Sequence, residues 1–367
     1  MEAQAASAYR AITDVLTSEA GLAEGFASVL RETIFFRRLP ADLRPVLEAR
    51  DRAMGNEARV HRPAVTLVEQ PPLDERAHLE ILLHAIVSTG PPLRQEIVDF
   101  PSDRGCVAGE GAYGLRTQLA GEWRLDAGGL HGRGGDVHAQ TLAMFGVAEE
   151  LLQRAGMSFR DVVRTWIHLR DIDRDYADLN RARRVFFEAR GLDPLPASTG
   201  IGGGPAAEAH DVALAIHAIR SSEPVERAVM TSPTLNEAPQ YGADFARGMR
   251  VVEANKIALH VSGTASIDEA GRTAHPGDFE AQAERMLANV AALLEGQGAG
   301  FRDVVSAITY LKHPADAARL RSKLSAAGYE GFPHALVAAP ICRPELLCET
   351  EALAVLPLPG ASPNGDA

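Results

Sequence analysis

The chain has 367 residues, 46% of them hydrophobic, and a formal net charge of −12 at pH 7. That leaves room for two or three domains with ample core, and it disfavours a nucleic-acid surface or a ribonuclease role, because phosphate binding needs clustered Lys and Arg. Cys106, Cys342 and Cys348 form no CxxC pair and the histidines show no HxxxH or HExxH spacing, so no disulfide framework, metal or cofactor is expected. No window approaches the roughly 18 uncharged apolar residues of a membrane span, and the N-terminus lacks the sustained apolar run of a signal peptide. The expectation is a cytoplasmic protein without membrane or nucleic-acid partners.

In chain order, a helix is predicted over 10–19, with Ile12, Val15 and Leu16 on one side, then a strand over 29–36 and a helix from about 41 to 53. A strand pair, 64–68 and 78–85, follows around the Pro71-Pro72 turn. The order returns twice. Helix 137–155, strand 162–169, helix 175–190 and strand 211–219 form one copy; helix 279–296, strand 304–311, a helix from about 314 and a closing strand pair over 342–351 form another.

The copies align by hand. Gly25-Phe26-Ala27-Ser28-Val29-Leu30 matches Ser158-Phe159-Arg160-Asp161-Val162-Val163 and Gly300-Phe301-Arg302-Asp303-Val304-Val305, and Ala41-Asp42, Ala177-Asp178 and Ala315-Asp316 mark the second helix of each. Ordered features in three copies argue for an internal repeat. Copies two and three are preceded by β-like segments, clearest at Lys256 to Gly263, whereas the first copy has too few residues before its helix and is truncated. With breaks near 88–90 and 221–240, the units are 1–88, 89–221 and 222–358, with a flexible tail at 359–367.

One stretch, 338–353, plants carboxylates on a strand. Pro340 and Pro344 bracket a turn, after which Leu347, Glu349 and Glu351 share one face while Leu346, Cys348 and Thr350 share the other. Glutamate is depleted in strands and expensive to bury, so Glu349 is either solvated at an edge or held in a site that uses a shifted pKa. Glu351 reads as solvated or arginine-paired, and Cys348 as core.

This element order, with the wording Pro-x-x-Cys-Arg-Pro-Glu-Leu-Leu-x-Glu-x-Glu-Ala, resembles the RidA/YjgF family. The resemblance implies an α+β fold in which mixed sheets carry helices on one face, three such units making a single-chain pseudotrimer with sites between units. It puts Glu80 and Glu349 at the family's glutamate position, with Ala215 in the middle copy. The family's carboxylate-binding arginine falls on Ile341, which argues against its enamine/imine deaminase chemistry.

Over about residues 135–357 the chain is similar to chorismatases. The matching stretches are Arg164-Thr165-Trp166, Tyr176-Ala177-Asp178-Leu179, Pro196 to Gly202, Tyr241-Gly242 with Phe245-Ala246-Arg247, Val261 to Ala265, His275-Pro276-Gly277-Asp278, and Cys342 to Glu349. The resemblance implies cleavage of the enol ether of chorismate, a dianion. That chemistry needs a carboxylic acid still protonated near neutral pH, and Glu349 fits, since burial raises a glutamate pKa.

A free cysteine is most often a small buried hydrophobe. Here Gly263 with Cys342 resembles the chorismatases that make 3-hydroxybenzoate, Gly263 leaving room over the ring and the Cys342 thiol assisting rearrangement to the phenol. Two carboxylates need cations: Arg164, Arg183, Arg247 and Lys312 are the expected partners, with Thr199 and Gly200 of a glycine-rich loop, Tyr241 and Tyr310 as further substrate contacts. The expected partner is a small dicarboxylate, and the chain is expected to be a monomer or dimer. A Rid-type deaminase or another lyase on a small carboxylate, and a non-catalytic binding module of the same fold, stand as alternatives.

Overall fold

The computed structural model describes residues 1–18, 28–55, 62–86, 93–99, 106–107 and 110–359, the side chains of 106, 107, 110, 111 and 241 excepted. The segment Gly25-Phe26-Ala27 of the first copy and nearly all of the expected tail lie outside these residues.

The repeated Phe-Arg-Asp sequence sets the geometry of the second and third copies. Phe159–Asp161 and Phe301–Asp303 are single 3-10 turns, closed by backbone N–H groups of Ser158 and Gly300 that donate to Asp161 and Asp303 at 2.8 Å. Each turn delivers the chain into a central strand, Val162–Leu169 or Val304–Leu311; the first unit's counterpart is Val29–Phe36.

In every unit the chain leaves the central strand through a helix and returns parallel to it. Val29–Phe36 pairs with Ala64–Glu69, Val162–Leu169 with Ala197–Gly202, and Val304–Leu311 with His334–Ala338. The closing strand, Leu79–Ala85, Val212–Ser221 or Cys348–Leu356, then takes the other side of the central strand, antiparallel. Two expected strand pairs are corrected by this topology. Strands 64–68 and 78–85 are separated by the central strand, and 338–353 is not a hairpin: His334–Ala338 and Cys348–Leu356 flank Val304–Leu311, and residues 339–347, with Cys342, form a loop. A crossover commits one side of the central strand to the parallel partner, so the closing strand must add on the other. Pro340 and Pro344, which lack an N–H, do not continue a ladder.

In the second and third units the closing strand also takes a hairpin strand, Glu122–Leu130 or Ile257–Ala265. Among the described residues the first unit shows no such hairpin, and its sheet of four is completed by Gly204–Pro205 from the second unit.

Helices cover one face of each sheet. Asp136, Asp171 and Asp278 cap three of them by accepting N–H groups of Ala139, Arg174 and Ala281 at 2.8–3.1 Å. Phe145, Leu152, Leu179, Phe186 and Phe187 fill the middle core, and Met286, Val290, Leu293 and Leu294 the third. The uncovered faces turn toward one another around a pseudo-threefold axis, where Arg31, Arg164 and Ser306, residues at one repeat position, line a cavity of about 50 Å³. Arg31 and Arg164 are therefore axial, half-buried and buried respectively, and need the carboxylates that meet them there.

Candidate active site

The seam between the second and third units is joined through a serine side chain and through the backbone. The Ser262 hydroxyl accepts the Ser198 N–H at 2.9 Å and donates to the Ala246 carbonyl at 2.6 Å, and the Gly202 N–H donates to the Pro340 carbonyl at 2.9 Å. Opposite Cys348–Leu356, strand Ile257–Ala265 slips register between Val261 and Thr264. This bulge carries Gly263 over the closing strand. A β-carbon built on Gly263 would lie 2.2 Å from Glu349 Oε1 and 3.0 Å from Thr199 Cγ2. The room expected over a substrate ring is thus occupied by the carboxyl of Glu349.

Glu349 is not an edge residue. It sits in the middle of the third sheet, 4% exposed, and no described residue donates a hydrogen bond to it. Burial and then the charge of Glu351 push its pKa up to about 8, against the pull of Arg164 and Arg247. It opens into a cavity of about 510 Å³ whose other walls bring Arg183, Arg247 and Arg343, with Arg181 and Arg184 further out. The Arg183 and Arg247 guanidinium groups stand 5.4 and 5.7 Å from the Phe245 ring, and Arg247 is held by the Asn236 carbonyl at 2.8 Å and side chain at 3.1 Å. On a chain of net charge −12, this is a locally basic pocket.

Cys342 lines the same cavity. Burial and the nearby Glu349 push its thiol up to about 12, and the Tyr176 hydroxyl is within hydrogen-bonding reach. It is a thiol, not a thiolate. Cys348 points into the third unit's core.

Of the expected substrate contacts, Arg183, Arg247, Gly200, Gly263 and Cys342 line this cavity. Arg164 and Tyr310 do not: Arg164 Nη2 pairs with Glu351 Oε2 at 2.9 Å, the Trp166 indole donates to Glu351 Oε1 at 2.6 Å, and the Tyr310 hydroxyl donates to Glu351 Oε2 at 3.3 Å. A buried carboxylate two residues along the strand takes them. Thr199 Oγ1 accepts from Arg164 Nη2 at 2.5 Å and from the Gly263 N–H at 3.0 Å, so it ties the two units together. Lys312 donates to the Pro344 carbonyl at 2.5 Å, outside the cavity. Tyr241 ends the turn Ala238–Tyr241, and its side chain lies outside the described part.

The reading from single residues missed Arg343, Tyr176, Asn180 and Phe245 as cavity residues. Arg343 and Tyr176 stand inside matched stretches, but a lone arginine in a turn and a tyrosine early in a helix have no period to mark them. At the position assigned to the arginine, Ile341 points into the core, while Arg343, two residues on, brings a guanidinium to the cavity.

Comparing the three seams shows why a buried glutamate and an open cavity coincide between the second and third units. Register places Glu349 opposite Tyr310, Glu80 opposite Phe35, and Ala213, not Ala215, opposite His168; Ala215 corresponds to Glu351. The middle unit therefore lacks the glutamate. Glu80 is kept, with a pKa raised to about 7 by burial, but it accepts the backbone N–H of Leu336. Leu336 holds the register position of Gly200, and the buried Leu73 follows Pro71 as Cys342 follows Pro340; the Ala338 N–H donates to Pro71 at 2.7 Å as that of Gly202 does to Pro340. Leucines stand where the second–third seam has glycine and cysteine.

Among the described residues no helix is long and apolar enough to cross a membrane. The family model described as Endoribonuclease L-PSP matches residues 116–219 and 237–356. A chorismatase from Streptomyces rapamycinicus is 27% identical over 245 residues, 59% of this chain and 70% of that protein. A crystal structure of a chorismatase superposes with a TM-score of 0.63 at 22% identity, covering 90% of this chain and 94% of that one, so the likeness of fold extends into the first unit. A putative endoribonuclease L-PSP from Entamoeba histolytica, 22% identical, covers 36% of this chain and all of its own length at a TM-score of 0.31. With both full-length units matched, the chain belongs to the endoribonuclease L-PSP family, the family of the RidA/YjgF fold, and its three units together share the fold of a chorismatase.

Proposed function

We propose that this protein is a chorismatase-type enzyme that cleaves the enolpyruvyl ether of chorismate to pyruvate and 3-hydroxybenzoate. The observation that carries the reading is one cavity in which a buried carboxyl that keeps its proton to about pH 8 faces a wall of arginines. A dicarboxylate with an acid-labile enol ether is the substrate class such a cavity suits. Similarity to a chorismatase supports it.

Arg183, Arg247 and Arg343 hold the two carboxylates. Glu349 gives its proton to the methylene carbon of the enolpyruvyl group. The ether bond at ring C3 then breaks with its electron pair going to the departing oxygen, so the side chain leaves as pyruvate. The C4 hydroxyl oxygen closes on C3 and its proton returns to Glu349. The strained C–O bond at C4 opens, C3 loses its hydrogen as a proton, and the phenol remains at C3. No water, oxidant or reductant is consumed. Cys342, a thiol, serves as a hydrogen-bond donor to the oxygen as that ring opens, and it stands where water would otherwise enter.

The Arg343 guanidinium also favours a second reading, a Rid-type deaminase or another lyase on a smaller carboxylate. Incubating the protein with chorismate, without added metal or cofactor, and following pyruvate and aromatic acids by chromatography decides between them. Equal amounts of pyruvate and 3-hydroxybenzoate, lost in Glu349→Gln, are expected. Absence of turnover would overturn the chorismate reading, and binding without turnover would point to a non-catalytic module.

A further inference from the structure

Glu351 is built where only one of three equivalent seams could use it. Register puts Leu82 and Ala215 at its position in the other units. Its donors are as asymmetric. Arg164 recurs as Arg31 but is replaced by Ser306, Trp166 corresponds to Thr33 and Ile308, and Tyr310 to Phe35 and His168. The network of Arg164, Trp166 and Tyr310 around Glu351 thus exists beside the seam whose cavity holds Glu349, and among the described residues it is not repeated at the other two.

Three donors converge on Glu351: a guanidinium at 2.9 Å, an indole N–H at 2.6 Å and a phenol O–H at 3.3 Å. A guanidinium and an indole N–H can only donate, they reach both oxygens of Glu351, and the guanidinium's charge favours the carboxylate as their acceptor. Glu349, two residues away on the same strand face, receives no hydrogen bond from any described residue. Two neighbouring buried carboxyls do not ionise together cheaply, and the donors decide which one carries the charge.

We propose that Glu351 is the positioning residue of this site: a buried carboxylate, held ionised by Arg164, Trp166 and Tyr310, whose charge keeps Glu349 protonated and whose ion pair withholds Arg164 from the substrate. The groups that face Glu349 are Glu351 on its own strand, Tyr310 on the neighbouring strand, Arg164 from the second unit, Arg247 after the turn Ala238–Tyr241, and Cys342 in the loop before it. Of these, Glu351 is the neighbour whose charge favours the proton on Glu349, while Arg164 and Arg247 oppose it. The role of that proton in turnover rests on the chorismatase reading; the charge arrangement does not.

The test is a carbon-13 NMR titration of the Glu349 carboxyl, assigned by its loss in Glu349→Gln, alongside the pH profile of chorismate turnover. The variants are E351Q; the double variant R164Q/E351Q, which leaves no unpaired buried charge if the single variant does not fold; and E351D, which keeps the charge. The Glu349 midpoint falls by about one pH unit or more in E351Q, less in the double variant, and stays near the wild-type value in E351D. The high-pH limb of turnover follows it. An unmoved midpoint in E351Q and the double variant, or an E351D midpoint displaced as far as that of E351Q, overturns the proposal. Midpoint shifts in a protein that does not turn over chorismate sink the functional reading and leave this one; turnover with an unmoved midpoint does the reverse.

Discussion

Gly263 and Glu349 share one space: the position of a β-carbon on the glycine lies 2.2 Å from Oε1 of the glutamate. The atom in the way is the far end of a flexible side chain, so Gly263→Ala is accommodated by moving the carboxyl rather than by breaking the sheet. A displacement of about 1 Å at the reacting group costs roughly a hundredfold in rate. In G263A, kcat for pyruvate release falls by about that factor while the melting temperature stays close to wild type. Unchanged kcat would mean that the carboxyl position does not matter to turnover.

Stability carries the same signature. The Glu349 carboxyl holds its proton to about pH 8 in the fold, against an ordinary value of 4.5. Between those values the native state binds the proton more tightly than the unfolded chain, so this group's stabilising contribution is full below about pH 4.5 and is lost as pH rises through 8. Glu349→Gln, which cannot ionise, removes that loss. Denaturant melts from pH 5 to 9 should find wild type and E349Q converging at the acid end and E349Q the more stable by a few kcal/mol at pH 9, since each tenfold difference in proton affinity between the folded and unfolded chain is worth about 1.4 kcal/mol.

The arginines divide by what they touch. Arg247 and Arg183 line the cavity, so Arg247→Gln or Arg183→Gln should lower kcat/KM for chorismate by about ten- to a hundredfold, the worth of a charged hydrogen bond. Arg164 is paired with buried Glu351. Arg164→Gln should instead reduce unfolding free energy by about 3–5 kcal/mol, the loss expected when one partner of a buried pair is removed. Urea melts and steady-state kinetics on the same preparations separate the two effects.

Cys342 should be unreactive. With its thiol pushed up to about 12, the thiolate fraction at pH 8 is roughly a thousandfold below that of an ordinary cysteine. Peptide-resolved mass spectrometry after iodoacetamide treatment at pH 8 should show almost no label at Cys342 until the protein is unfolded. In Cys342→Ala, pyruvate release should persist while the aromatic product is diverted toward the diene diol, because the substitution admits water where the thiol stood.

Much of the fold was legible in local pattern. The central strands Val29–Phe36, Val162–Leu169 and Val304–Leu311 have the predicted limits, since each is a short apolar run, and the latter two are entered through a turn with its own capping chemistry. The strand partners were not legible, because a strand does not record which side of its neighbour it joins. The site was legible where a residue type contradicted its surroundings, as Glu349 does in an apolar strand. Arg164 shows the same contradiction, yet its answer lay about 190 positions later, in Glu351. Lys312 and Arg343 look alike as single cations near the closing loop; one is tied to Pro344 outside the cavity and the other lines it.

By itself, then, the sequence determined that three copies of one unit follow each other, and that a carboxylate, a thiol and a glycine are spaced for a candidate site near the closing strand. Those are properties of composition and period, which local forces read directly. The tertiary structure alone decided which seam brings the glutamate, the thiol and a set of arginines to one cavity. That depends on contacts between units far apart in the chain, where a glycine or a leucine at one register position opens or fills a cavity, and where one buried carboxylate claims an arginine before any ligand can.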